Sequence, residues 1–435
     1  MGRIIIAAAS SGSGKTLITC GLIKCLVDRK LSVQAYKCGP DYIDPMFHKK
    51  LLGISSENLD TFFCDEYNVG RLLSYGNDKD ISVIEGVMGI YDGLGGVHPE
   101  GSAYDLAVKT KTPIILIVNA RGMGRTLVSI VKGILADDKE SLIKGVILNN
   151  ISKGYYDSIA PILEDEAGIR VLGFLPKLSG INIESRHLGL KLPSEIEDLN
   201  VQITNVAEAM GQNINIDDII RISGQVGIIY DSKEYEDFGK NTSLKGKKVS
   251  IARDEVFCFI YDDNLRMLEN SGANIEFFSP LHDSAIPDDT SILVLPGGYP
   301  ELRLPELSAN KSMLDSVKRA IKEGMPVFAE CGGFMYLHNS IQEDDGKEYE
   351  MAGVIDGKCY NTGKLCRFGY VNIQAGDYTL KGHEFHYYDS TANGSDFTAV
   401  KASTNKEFLF GYNINGGICG FPHLYWGQSS VMESE

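Results

Sequence analysis

Ile4-Ile5-Ile6-Ala7-Ala8-Ala9-Ser10-Ser11-Gly12-Ser13-Gly14-Lys15-Thr16 carries a β-branched run into a loop of small residues, and a helical pattern over 17–28 leaves it. Strand, small-residue loop and helix in this order are the setting of a phosphate-binding loop. Small residues let backbone N–H groups turn inward on phosphate oxygens, and the helix N-terminus adds the positive end of its dipole. Ser11, Gly12, Ser13 and Gly14 then cradle the phosphates of ATP. Lys15 reaches the outer ones, and the Thr16 hydroxyl can ligate Mg2+. Ala9 stands where the usual pattern has its first Gly. The competing reading is an ordinary Gly-rich turn; Gly14-Lys15-Thr16 placed between strand and helix argues against it.

Outward from this loop, short apolar runs alternate with helical stretches. Strands are expected at 4–8, 33–36, 81–85, 114–118, 145–149 and 171–174, with helices at 103–109, 126–136 and 160–167. Several strands are continuous β-branched runs, as parallel strands buried on both faces are. The pattern predicts a doubly wound, mainly parallel α/β sheet with ligands at the C-terminal strand ends. A more polar stretch follows, with a helix near 201–210 and an apolar patch at 227–230. Residues 231–247 are rich in Lys, Glu, Asp and Gly and read as a linker between a domain over 1–230 and a second over 248–435. The second is again α/β, with strands at 249–252, 275–278, 292–295 and 326–329, and short β patterns from 351 onward.

The totals set bounds. At 435 residues, two domains are the expectation. A net charge of −16 disfavours nucleic acid or an anionic membrane as partner, so a polyanion such as ATP must be held by local devices. No apolar run is long enough to span a bilayer. Nine cysteines at irregular spacing, without a CxxC pair, suit reduced thiols better than a disulfide frame or a zinc site. A cytoplasmic protein without structural metal is expected.

Three further stretches carry chemistry. Lys37-Cys38-Gly39-Pro40-Asp41-Tyr42-Ile43-Asp44-Pro45 follows a strand on the side where the phosphate loop should lie. Its carboxylates can hold Mg2+ or orient a substrate, although Asp, Gly and Pro also make plain turns. Glu85 ends the next strand, where such ATPases place a metal carboxylate, so Thr16, Asp41 and Glu85 form the expected ligand set. Asn149 and Asn150 end another strand, where one could read an adenine edge or cap a turn.

In the second half, Leu293-Val294-Leu295-Pro296-Gly297-Gly298-Tyr299-Pro300-Glu301 runs a strand into a Gly-Gly turn. Val327-Phe328-Ala329-Glu330-Cys331-Gly332-Gly333-Phe334-Met335 then sets a cysteine at a strand-to-helix corner, a nucleophile elbow built with Cys. A helix N-terminus there is expected to lower the thiol pKa, with the N–H groups of Gly332 and Gly298 as an oxyanion hole. A buried structural cysteine is the plain alternative. The base would be His383, His386 or His423.

Together these residues resemble the cobyrinic acid a,c-diamide synthases, glutamine-dependent amidotransferases of cobalamin biosynthesis, over the whole chain and in the right order. The most specific piece is Lys37 to Pro45, with Glu85-Gly86-Val87-Met88-Gly89 and Asp92-Gly93 behind it. The first half resembles a dethiobiotin-synthetase-type P-loop domain, the second a class I glutaminase domain. The resemblance implies that Cys331 attacks the glutamine amide and that His423 is its base. Tyr425 stands where related triads carry Glu, which leaves a Cys–His dyad. It further implies that ATP, contacted also by Lys37 and Asn149, activates a carboxylate as an acyl phosphate, and that Tyr42, Asp44 and Asp92 face the corrinoid. Relatives amidate the same two acetates on hydrogenobyrinic acid or nickel-sirohydrochlorin, and a homodimer is compatible with the pattern. Two other classes compete: a binding or partitioning P-loop ATPase with an inert C-terminal domain, and a dethiobiotin-like carboxylase. The presence of both Cys331 and His423 disfavours the first, and the long second domain disfavours the second.

Overall fold

In the computed structural model, which describes residues 2–181, 185–186 and 189–427, the opening apolar run is a strand, β1 (Gly2–Ala8), buried along its length. Helix α1 (Lys15–Asp28) leaves the loop after Gly14, whose φ of 91° is a left-handed conformation that glycine adopts without strain. The chain divides into two compact units, Met1–Glu236 and Asp237–Glu435.

The first unit is built on a seven-stranded sheet in the order β3-β2-β4-β1-β5-β6-β7. Its members are β2 (Val33–Cys38), β3 (Ser56–Leu59), β4 (Ile81–Glu85), β5 (Ile114–Asn119), β6 (Ile143–Asn149) and β7 (Val171–Leu175). Every neighbouring pair is parallel. β1 lies between β4 and β5, so successive connections leave it in opposite directions. That reversal opens a crevice at its C-terminal end, where the Ala9–Lys15 loop sits. The strands' apolar side chains bury fully because helices cover both faces, which is why they read as continuous apolar runs.

Helices α2 (Ile43–Leu52), α3 (Glu66–Ser74), α4 (Ala103–Thr110), α5 (Thr126–Asp137), α6 (Lys153–Ala167), α7 (Leu199–Asn213) and α8 (Ile216–Ser223) complete the unit. α7 packs closely on α1 because position 21 is glycine. A Cβ there would lie 2.6 Å from Met210 Sδ and 2.7 Å from Val206 Cγ1. The apolar patch at 227–230 is neither helix nor strand. It runs beside β1, where the buried Arg3 guanidinium donates to Ile228 O (2.9 Å) and lies over the Tyr230 ring.

The second unit has a six-stranded sheet in the order 274–278, 248–252, 292–295, 327–330, 417–420, 412–414. Its pairs are parallel except the last. From Met351 onward the chain forms mostly antiparallel sheets, the largest ordered 407–410, 397–401, 367–375, 378–386, 423–425. That sheet carries His383 opposite His423.

Candidate active site

The phosphate loop is assembled as its sequence requires. Ser11 and Gly12 are exposed, and Gly12 has a φ of 72°. Ser13 is buried, its hydroxyl 3.2 Å from that of Ser10. Lys15 Nζ donates to the carbonyls of Ser10 (3.4 Å) and Met88 (2.5 Å). Burial, with the neighbouring Lys37 ammonium, lowers its pKa to about 8. Gly14 faces Asn149: a Cβ there would lie 2.6 Å from Asn149 Nδ2. The Asn149 amide donates to Ser13 O (2.8 Å), and its oxygen accepts from the Asn150 N–H (2.9 Å). Both ends of the Asn149 amide are thus engaged by main chain at the phosphate loop.

Behind the loop lies a cluster of charged side chains. The Thr16 hydroxyl meets Glu85 Oε1 at 2.6 Å and Asp44 Oδ1 at 3.2 Å. Lys37 pairs with Asp44 (2.5 Å) and Glu85 (3.3 Å) and donates to Gly86 O (3.0 Å). Burial opposes the Lys37 charge, but Asp44, Glu85 and Asp41 outweigh it and push the pKa up. Glu85 is held ionised against its burial by Lys37 and His48. Asp44 goes the other way, pushed up by burial and by the carboxylates of Asp41 and Glu85.

Thr16 and Glu85 of the expected ligand set meet directly. The second carboxylate at Thr16, beside Glu85, is Asp44. Asp41 instead turns Oδ1 back onto the N–H groups of Ile43 (2.8 Å) and Asp44 (3.1 Å), starting α2. That helix brings Asp44 round to the loop, a turn of chain not anticipated from the turn-forming residues before it. Lys37, expected at ATP, has its ammonium on Asp44, Glu85 and Gly86 O. Asp92 Oδ2 accepts the Gly89 N–H at 2.9 Å, and Tyr42 is buried at the start of α2. His48 was missed: from α2 it reaches Glu85 Oε2 with Nε2 (3.2 Å) and Ser56 Oγ with Nδ1 (2.8 Å). A lone histidine in a helix gives no local signal, and only the fold reveals it. Thr16, Asp44 and Glu85 offer an all-oxygen donor set, which suits Mg2+.

In the second unit, Cys331 sits at the expected corner, between the strand Val327–Glu330 and the five-residue helix Gly332–Tyr336. Its φ of 45° and ψ of −105° are strained for a residue with a side chain. Its N–H donates to Gly420 O (2.9 Å). Glycines permit the close packing around it. A Cβ on Gly332 would come within 3.1 Å of Gly298 N, and one on Gly298, whose φ is 153°, within 1.7 Å of Val256 O. The expected depression of the thiol pKa is not found. Burial pushes the Cys331 thiol up, with Glu301 and Glu330 adding to it, and these outweigh the Gly332 N–H. This thiol needs a base to take its proton.

Of the three histidines, His423 lies against the Gly-Gly turn: a Cβ on Gly297 would sit 2.2 Å from its Cε1. Three residues earlier Gly420 pairs with Glu330, the neighbour of Cys331. His383 stacks on His423 with ring centres 5.0 Å apart. Its Nδ1 is 3.4 Å from the Tyr261 hydroxyl, and burial with the neighbouring His423 pushes its pKa down. His386 stacks on Phe421 and has Nδ1 2.7 Å from Tyr388 O.

Residues 4–190 match the CobQ/CobB/MinD/ParA nucleotide binding domain, and 248–419 match the CobB/CobQ-like glutamine amidotransferase domain. A cobyrinate a,c-diamide synthase of Listeria innocua is 36% identical, the match covering 99% of this chain and 98% of the relative. One from Clostridium acetobutylicum is 37% identical, with 98% and 97% covered. Another, from Thermoplasma volcanium, is 40% identical, with 98% and 94% covered. Agreement at this level along the whole chain, with both domain models in place, makes the chain a member of the cobyrinate a,c-diamide synthase family, glutamine-dependent amidating ligases with a P-loop nucleotide-binding domain.

Proposed function

We propose that this chain converts the a- and c-acetate carboxylates of cobyrinic acid to amides, with ammonia from glutamine and activation by ATP. The observation that carries the reading is the presence on one chain of two complementary sites. One is a phosphate loop backed by Thr16, Asp44 and Glu85; the other is a strained cysteine elbow beside His423. The macrocycle is taken from the names of the full-length relatives.

In the glutaminase half-reaction the Cys331 proton passes to His423, and the thiolate attacks the glutamine amide carbon. The N–H groups of Gly298 and Gly332 hold the oxyanion. The imidazolium returns the proton to the leaving nitrogen, ammonia departs, and water hydrolyses the thioester to glutamate. In the synthetase half-reaction a substrate carboxylate oxygen attacks the γ-phosphorus of ATP and ADP leaves. Ammonia then adds to the acyl carbon and phosphate is expelled. Activation is needed because a carboxylate is a poor electrophile. The N–H groups of 11–16 and Lys15 hold the phosphates. Thr16, Asp44 and Glu85 would hold Mg2+, which neutralises charge on the transferring phosphoryl group. His48 and Lys37 fix the Glu85 carboxylate, and Tyr42 and Asp92 line the acceptor side. The nine cysteines, irregularly spaced and without a CxxC pair, suit a reducing, cytoplasmic location.

The test is mass spectrometry of cobyrinic acid, hydrogenobyrinic acid and nickel-sirohydrochlorin, each incubated with enzyme, glutamine, ATP and Mg2+. Two acid-to-amide conversions on cobyrinic acid support the reading. Conversion of only one of the other macrocycles would move the substrate assignment. No amide on any of them, with glutaminase activity intact, would refute it.

A further inference from the structure

His423 is packed by the Phe259 and His383 rings and by Gly297, but none of these decides which ring nitrogen carries the proton. The carboxylate that usually does so, two residues beyond the histidine, is replaced by Tyr425, whose hydroxyl goes to Asp263 Oδ2 (2.5 Å). A different carboxylate stands at the ring. Glu330, the residue before the nucleophile, is 7% exposed. Its Oε1 accepts the Leu424 N–H (3.2 Å), and its Oε2 lies 3.6 Å from His423 Nδ1. The register explains the encounter. Glu330 pairs with Gly420, and the chain turns at Phe421-Pro422 to bring His423 and Leu424 back over the end of the same strand.

We propose that Glu330 is the positioning residue of the glutaminase, holding His423 with its proton on Nδ1 so that Nε2 is left to accept the Cys331 proton. This rests on the reading of Cys331 as nucleophile and His423 as base. When the proton moves from Sγ to Nε2, the thiol, imidazole and carboxylate keep their summed charge of about −1, a transfer that creates charge separation but no net charge. The Glu330 carboxylate then faces the Nδ1–H of an imidazolium, which it stabilises. The same carboxylate raises the energy of a bare thiolate, so its net effect favours the thiolate only with the proton on His423. Contacts of this kind are often long before substrate binds and tighten in the reacting complex. The third member of the triad is thus supplied from the nucleophile's own strand.

The competing role for Glu330 is purely structural, as acceptor for Leu424 N–H. Glu330→Gln separates the two, because glutamine keeps the shape and an oxygen for Leu424 but loses the charge. The expected result is a fall of about 100-fold in glutamine-dependent kcat, with KM for glutamine within about twofold. Ammonia-dependent amidation stays at the wild-type rate. His383 stacks on that ring with Tyr261 behind it, and the substitution leaves both in place. Wild-type kcat for glutamine in Glu330→Gln would overturn the proposal, as would equal loss of the glutamine and ammonia reactions. His423→Ala run alongside distinguishes the underlying reading. If that variant keeps its glutaminase, His423 is not the base, whatever Glu330 does.

Discussion

Lys15 and the carboxylates around Thr16 gather at the phosphate loop of the first unit. Burial brings the Lys15 pKa to about 8, so its charge is complete below that pH and lost as pH rises through it. A phosphate ligand needs the ammonium, so ATP binding takes up a proton above pH 8 and weakens as pH climbs. Calorimetric titration of ATP in buffers of differing ionisation enthalpy reads this directly; pH-independent affinity without proton uptake would contradict it. Lys15→Ala abolishes amidation with either nitrogen source in a folded protein. Asp44→Asn and Glu85→Gln raise the Mg2+ concentration needed for half-maximal amidation by about tenfold or more and leave ATP-independent glutaminase unchanged. Asp41→Ala behaves differently, costing about 1 kcal/mol of stability through its lost cap, with a near-wild-type Mg2+ response. Mg2+ titrations and thermal melts of the three variants check this; a wild-type Mg2+ response in Asp44→Asn and Glu85→Gln would remove them as ligands. At this scale the sequence was a partial guide. It marks Lys15, Thr16, Glu85 and Cys331 because motif and strand end coincide. It cannot tell Asp41 from Asp44, because a helix starting between them decides which one turns to the loop.

At the scale of elements, the Gly297–Gly298 strand is the clearest structural dependency of the glutaminase. A methyl group on Gly297 would meet the His423 ring, and one on Gly298 would meet Val256 O at a φ that side chains rarely adopt. Gly297→Ala should therefore lose most glutamine-dependent amidation while melting within a few degrees of wild type. Gly298→Ala should lose both activity and stability. Activity assays and melting curves measure the contrast, and a fully active Gly297→Ala would show that the imidazole is not where the structure has it. The elements themselves were unevenly legible. The buried strands of the first sheet show in the sequence as β-branched runs, and β4 and Ile292–Leu295 have the expected bounds. β3 does not show, because an edge strand reading Ser-Glu-Asn-Leu has no apolar run. α2 is hidden by turn formers before it and by Pro45 in its first turn, where proline is tolerated. α8, capped by Asn215, follows α7 so closely that the two read as one polar stretch.

The whole molecule joins two α/β units, each with its own sheet and its own chemistry. The units meet at 236–237, inside the charged stretch at 231–247. The family was legible from the 37–45 segment and the cysteine elbow. Glu330, proposed as the positioning residue for His423, was not, because no spacing rule points from His423 back to it; the pairing of strands 327–330 and 417–420 does. The central proposal is that the chain runs two separable half-reactions, one making ammonia and one consuming it. The direct measurement is diamide formation from cobyrinic acid, ATP and Mg2+ with Cys331→Ala, His423→Ala, His383→Ala and Lys15→Ala, each supplied either with glutamine or with ammonium at alkaline pH. Cys331→Ala and His423→Ala should fail with glutamine and succeed with ammonium, His383→Ala should retain turnover with both, and Lys15→Ala should fail with both. Loss of the ammonium reaction in folded Cys331→Ala, or its survival in Lys15→Ala, would contradict the two-site reading.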